Sequence, residues 1–308
     1  MRRMKHLLVS MLVTAFILTG SLVQSALSQD MANGAVAPAV KGKATVKVLP
    51  ENDKVSVYAA GPAAFNVPAD SSIPGGPEGE AIRLGRTLII DTRRLLPNNV
   101  GNGLNCGNCH LGAGTKESAG PFVGLWGVYP EYRTRNGHIN SMQERINDCF
   151  QRSMNGKALV LDSREMNAML MYIQWLSTGV PVGEEVVGRG MGSVDSALKP
   201  DAAHGKQIYA EKCANCHGAN GQGTRNPAGG YVFPPVWGDA SFNVGAGMAR
   251  TFTAAGFIKF NMPLGQEGSL SDRDATDVAE FVTHKPRPAY APAKNDYAGG
   301  SKPKDARN

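Results

Sequence analysis

Cys106-Gly107-Asn108-Cys109-His110 and Cys213-Ala214-Asn215-Cys216-His217 are the two stretches whose reading decides the fold of this chain. The C-x-x-C-H spacing places two thiols where they add across the two vinyl groups of one haem, and the adjacent imidazole reaches the iron as proximal ligand. Covalent attachment keeps a large cofactor in a domain too small to bury it fully. A single C-x-x-C also suits a redox dithiol or half of a zinc site. Two copies, each followed directly by His, favour two haems c instead. The chain has five cysteines, so these motifs leave one, Cys149, to be explained.

The surroundings of the motifs repeat. EAIRLGRTLII (80–90) and DAAHGKQIYAEK (201–212) precede them with helical apolar spacing and a glycine, Gly85 or Gly205. Each motif is followed by a Pro/Phe/Trp/Gly segment, GPFVGLWG (120–127) or FPPVWG (233–238). An amphipathic helix closes each half. The first spans about 162–178, with Asp162 and Glu165 spaced as a capping box and Gly179 and Pro181 as stop signals. The second spans about 271–283, with Pro286 beyond. Both halves resemble small class I cytochromes c. The expected fold is mostly α, with two tandem class I cytochrome c domains (76–180 and 201–288), each with a covalently attached haem. Residues 181–200 read as a linker and 289–308 as a flexible tail. Trp126 and Trp237 are expected in the core or against haem. An extension at 29–75 contains KATVKVLP (43–50) and KVSVYAA (54–60), which suit short strands.

The start of the chain sets an expected compartment. Arg2, Arg3 and Lys5 precede an apolar run from Leu7 to Leu18, and Ala26-Leu27-Ser28 supplies small residues at a cleavage site before Gln29. This apolar core is shorter than the roughly 20 residues that span a bilayer. A signal peptide over 1–28 is therefore expected, with a periplasmic mature protein and no stable membrane insertion. Half of the net charge of +6 sits on those three leader residues, so nucleic-acid binding is not indicated.

Distal ligands separate the two haems. In the second half the candidate is Met262, followed by Pro263, and His/Met ligation raises the reduction potential. Met248 is its rival and is expected to be packing; His204 and His284 are expected to face solvent. In the first half Cys149 occupies the place of a distal ligand. It could instead be a buried, inert thiol with Met154 as ligand, or form an intermolecular disulfide. Arg133, Arg135, Arg145 and Arg152 surround it in sequence. They could be a solvated basic face. Positive charge also stabilises a thiolate, and guanidinium forks bind oxyanions bidentately, so the cluster suits a small sulfur oxyanion.

The segments ERINDCFQRSMNG (144–156), VGNGLNCGNCHLGAGT (100–115) and KFNMPLG (259–265) closely resemble the thiosulfate dehydrogenases, dihaem cytochromes that form tetrathionate. The resemblance covers about residues 76–290. It implies a catalytic first haem ligated by His110 and Cys149, with Arg135, Arg145 and Ser153 at the active site. It also implies a second haem, ligated by His217 and Met262, that relays electrons to a soluble c-type cytochrome. Some members place lysine just before the distal methionine and exchange the two ligands on reduction. Asn261 stands there in this chain, so plain His/Met ligation is expected, although Lys259 is near. The family includes enzymes that also reduce tetrathionate. Two alternatives remain at this point: a non-catalytic dihaem electron carrier, and a dihaem subunit of the Sox sulfur-oxidation system, which conjugates thiosulfate to a carrier protein.

Overall fold

A computed structural model of the protein describes residues 63–307. The signal segment and both candidate strands (43–50 and 54–60) lie outside the described residues. Six helices carry the architecture: α1 (Gly76–Ile90), α2 (Met142–Asp148), α3 (Arg164–Leu176), α4 (Ala202–Lys212), α5 (Thr251–Asn261) and α6 (Asp272–Thr283). Two short antiparallel hairpins accompany them: β1 (Glu131–Arg133) with β2 (His138–Asn140), and β3 (Thr224–Arg225) with β4 (Tyr231–Phe233).

Each half is built on a helix crossing that a glycine permits. α1 packs on α3, and a Cβ on Gly85 would lie 2.1 Å from the Ala168 carbonyl oxygen. α4 packs on α6, where a Cβ on Gly205 would lie 1.9 Å from the Asp277 carbonyl oxygen. Backbones this close exclude any side chain larger than hydrogen. Ile82, Leu88 and Ile89 on α1 face Met169, Tyr172 and Ile173 on α3, all buried. Each such side chain contributes about 1.5–3 kcal/mol on burial. Ile208, Tyr209, Val278 and Val282 form the second core, with Trp237 against Tyr209 at 4.8 Å.

Local details depart from the sequence reading in two places. The cap of α3 is Ser163, whose hydroxyl accepts the Met166 N–H at 3.2 Å, one residue beyond the expected Asp162. Trp126 is not a core residue: its side chain is 37% exposed on a short 3₁₀ turn (Leu125–Val128), while Leu125 packs inward.

The expected linker and tail are both packed. Gly188 and Gly190 accept backbone bonds from Ser118 (2.8 Å) and Gly120 (2.7 Å), and Val186 is buried. The tail, read as flexible, is held by a buried ion pair from Asp296 to Arg152, and Asp305 accepts the Phe252 N–H at 2.9 Å. Its low hydrophobicity hid these specific polar anchors. Two buried asparagines join the halves. Asn102 Nδ2 donates to the carbonyls of Ser153 (2.8 Å) and Ser241 (3.1 Å). Asn243 Nδ2 donates to the Gln151 carbonyl (2.9 Å) and to Asn155 Oδ1 (3.0 Å). Among the described residues, no helix is long and apolar enough to cross a membrane.

Candidate active site

A capping box starts the element that carries the fifth cysteine. Ser141 Oγ accepts the Glu144 N–H at 3.2 Å, and the Glu144 carboxylate accepts the Ser141 N–H at 2.7 Å. α2 then runs into a π-helical turn, Cys149–Ser153, a rare geometry that re-aims side chains and is frequent at functional sites. One helical turn separates Arg145 from Cys149, so both lie on one face. Arg145 Nη1 donates to Cys149 Sγ at 2.8 Å.

His110 faces this thiol. Its Nδ1 lies 2.5 Å from the Gly120 carbonyl oxygen, which leaves Nε2 free on the side of the cavity that Cys149 also lines. Cys106, Cys109, His110 and Cys149 line one cavity of ≈ 310 Å³. None of the five cysteines is paired in a disulfide among the described residues.

The environment treats these thiols differently. Burial pushes Cys106 and Cys109 up to about 12 and Cys213 up to about 11. Burial also opposes ionisation of Cys149, but the Arg145 guanidinium and, after it, the neighbouring His110 imidazole outweigh it and lower the thiol to about 6. The Arg145 guanidinium is in turn held charged, above all by Cys149. Met154 is buried and lines the same cavity, yet the thiol is the group set against both His110 and Arg145.

The second cavity, of ≈ 270 Å³, is lined by Cys213, Cys216, His217 and Met262. His217 Nδ1 lies 2.8 Å from the Pro234 carbonyl oxygen. Burial lowers the pKa of this imidazole and keeps it neutral, as a metal ligand requires. Both cavities therefore fit haem c: a thiol pair, an imidazole oriented by a carbonyl, a second sulfur and apolar walls. Leu104, Cys109 and Met248 line both cavities, so the two sites adjoin. Met248 is thus shared packing rather than a residue of one site. His204 bonds Asp277 at 2.9 Å and His284 accompanies Glu280 at 3.3 Å; both remain partly exposed. Asn261 is fully buried, with Nδ2 donating to the carbonyls of Ser118 (2.9 Å) and Phe257 (3.0 Å), and Lys259 is paired with Asp272.

The four arginines do not act as one cluster. Arg133 pairs with Glu131 at 3.0 Å, and Arg152 pairs with Asp296 through two bonds of 2.7 Å. Arg135 lines the cavity without an ion pair among the described residues, donating from Nη1 to the Gly245 carbonyl at 3.3 Å. Burial, then the charge of Arg152, lowers its pKa. Arg135, Arg145, Cys149 and Ser153 are thus brought together in one cavity. The second half completes that cavity with Gly247, Met248, Arg250 and Thr253. Sequence reasoning missed Gly247, Arg250 and Thr253, because no spacing signal links them to the cysteine segment, and had Met248 only as packing in the second half. Arg250 is held by Thr253 Oγ1 at 2.7 Å.

A family model described as SoxA/TsdA, cytochrome c domain, matches residues 98–182, and one described as Cytochrome c matches residues 202–285. The thiosulfate dehydrogenase of Psychrobacter arcticus is 51% identical over 249 residues, 81% of this chain and 76% of that protein. That of Allochromatium vinosum is 49% identical over 237 residues, 76% of this chain and 88% of that protein. A solved structure, the as-isolated thiosulfate dehydrogenase TsdBA of Marichromatium purpuratum, is similar with a TM-score of 0.69 and 39% identity. That match covers 73% of this chain and 50% of the solved chain. With two cytochrome c domains and relatives of this identity over most of its length, the chain belongs to the thiosulfate dehydrogenase family of c-type cytochromes.

Proposed function

We propose that this chain is an exported, periplasmic dihaem cytochrome c that joins two thiosulfate ions into tetrathionate and passes two electrons to a soluble c-type cytochrome. In this reading residues 76–180 are the catalytic half and 201–288 the electron-transfer half. The observation that carries it is Cys149, a thiol placed between Arg145 and His110 in a cavity that also holds Cys106 and Cys109.

Cys106, Cys109, His110 and Cys149 would hold one haem, and Cys213, Cys216, His217 and Met262 the other, without a lysine switch. When bound, the pair supplies one-electron acceptance twice, which matches a two-electron oxidation.

The side chains account for the rest. Two dianions resist approach: each pair of unit charges 4 Å apart costs about 4 kcal/mol at an effective dielectric of 20. Arg135 and Arg145 would hold the sulfonate ends and offset that repulsion. The thiolate of Cys149 bonds the sulfane sulfur of the first thiosulfate, with loss of two electrons, giving a cysteine-bound thiosulfate. The second thiosulfate attacks that sulfane sulfur, and the Cys149 thiolate leaves as tetrathionate forms, in the manner of thiol–disulfide exchange. Ser153 would donate a hydrogen bond to the adduct. The same steps run backwards reduce tetrathionate.

The test is tetrathionate formation from thiosulfate and an electron acceptor by the isolated holoprotein. One tetrathionate per two electrons is expected, and Cys149→Gly should abolish it while both haems stay attached. Acceptor reduction without tetrathionate, or near-native activity of the variant, overturns the proposal. A requirement for a carrier protein would favour the Sox-type reaction instead.

A further inference from the structure

The C-terminal segment reaches into the arginine set. Arg152 is 7% exposed and its guanidinium has one carboxylate in bidentate contact, Asp296, at 2.7 Å through each oxygen. A second carboxylate, Asp148, stands 3.6 Å from Arg152 Nε. The Tyr290 ring covers the guanidinium at 4.8 Å. Arg152 and Arg135 also share an acceptor: Nη1 of each donates to the Gly245 carbonyl, at 3.2 and 3.3 Å. The residue after Asp296 anchors Arg135 directly, because the Tyr297 N–H donates to the Arg135 carbonyl at 2.8 Å. Two neighbouring guanidiniums thus meet on one carbonyl, and one of them is closed off by a carboxylate from the tail.

We propose that Asp296 is a positioning residue for the anion site: it neutralises Arg152 and so leaves Arg135 in place as the cation that meets the substrate. This rests on the thiosulfate reading above. A buried cation stripped of its partner is strongly unfavourable, whereas removal of both members of a buried pair is nearly neutral. Without Asp296, Arg152 would keep only Asp148, at 3.6 Å, and the Gly245 carbonyl it already shares with Arg135, and its unneutralised charge would repel Arg135 from its place.

The experiment is a double-mutant cycle on the holoprotein, reading KM and kcat for thiosulfate separately. Asp296→Asn should raise KM about tenfold and change kcat less than about twofold, with Asp296→Glu recovering part of the loss. The double variant Arg152→Met with Asp296→Leu should return KM most of the way to the wild-type value. A role confined to tail packing would lower the melting temperature of the variants without moving KM. Should Asp296→Asn not accumulate, Arg152→Gln takes its place, since the freed carboxylate would then engage Arg135 and raise KM likewise. An unchanged or lower KM in the single variant, or a double variant as impaired as the single, overturns the proposal. Absence of thiosulfate oxidation in the wild-type protein would instead remove the reading on which it rests.

Discussion

Asn102 is the residue on which the joining of the two halves can be tested most directly. Its side chain is 8% exposed and makes three hydrogen bonds: Nδ2 to the carbonyls of Ser153 (2.8 Å) and Ser241 (3.1 Å), and Oδ1 from the Leu104 N–H (3.1 Å). Ser153 ends the π-helical turn that begins at Cys149, so the contact also braces the site. Asn102→Ala removes all three bonds at about 1 kcal/mol each and leaves buried groups unpaired, a loss of about 2–4 kcal/mol. For a protein of this size each kcal/mol moves Tm by about 2–4 °C, so a fall of roughly 4–16 °C is expected. Asn102→Asp is the sharper variant. It keeps the shape and the bond from Leu104, but sets a carboxylate oxygen against two carbonyl oxygens. Thermal unfolding of the holoprotein, followed by circular dichroism, should place it at least as low as the alanine variant. An Asn102→Asp melting temperature within about 1 °C of wild type would refute the argument, because the residue would then be contributing shape alone.

Two further outcomes follow from the helix crossing in the second half. Gly205→Ala gains about 0.5–1 kcal/mol of helix propensity, but its Cβ would meet the Asp277 carbonyl oxygen at 1.9 Å. Overpacking costs about 1–3 kcal/mol, so the variant should melt lower than wild type, and a higher melting temperature would contradict the close crossing. His204, on the same helix, has its pKa raised by its hydrogen bond to Asp277. A raised histidine stabilises fully below its unfolded pKa of about 6.5 and loses that contribution as pH rises through its folded value. The melting difference between wild type and His204→Gln should therefore be largest in mild acid and shrink in alkali; a difference that grows with pH would exclude the pairing.

How much of this was legible in the sequence depended on whether chemistry was local. The C-x-x-C-H motifs, the glycines ahead of them and the Met262-Pro263 pair are short local patterns; the structure sets the glycines at helix crossings and gathers each motif on the wall of one cavity, with Met262 on the second. Cys149 and Arg145 stood out in the sequence as a cysteine among arginines, but the helical turn that sets both side chains on one face came only with the structure. Arg133 and Arg152 were indistinguishable from Arg135 by spacing. Their carboxylate partners, Glu131 and Asp296, decide their roles, and Asp296 is remote in sequence. The tail was misread for the same reason. Its composition lacks a hydrophobic pattern, and its order comes from individual anchors at Asp296, Tyr297 and Asp305 that only a folded partner reveals. Arg250 and Thr253 entered the cavity by domain packing, which leaves no trace in spacing.

Low-temperature electron paramagnetic resonance of the oxidised holoprotein tests the central assignment most directly. Ligation of one iron by His110 and Cys149 predicts a low-spin signal with the narrow g-spread of a thiolate-bound haem, beside a broader signal from the His217/Met262 site. Two broad signals of the His/Met kind, with no thiolate-type component, would contradict it.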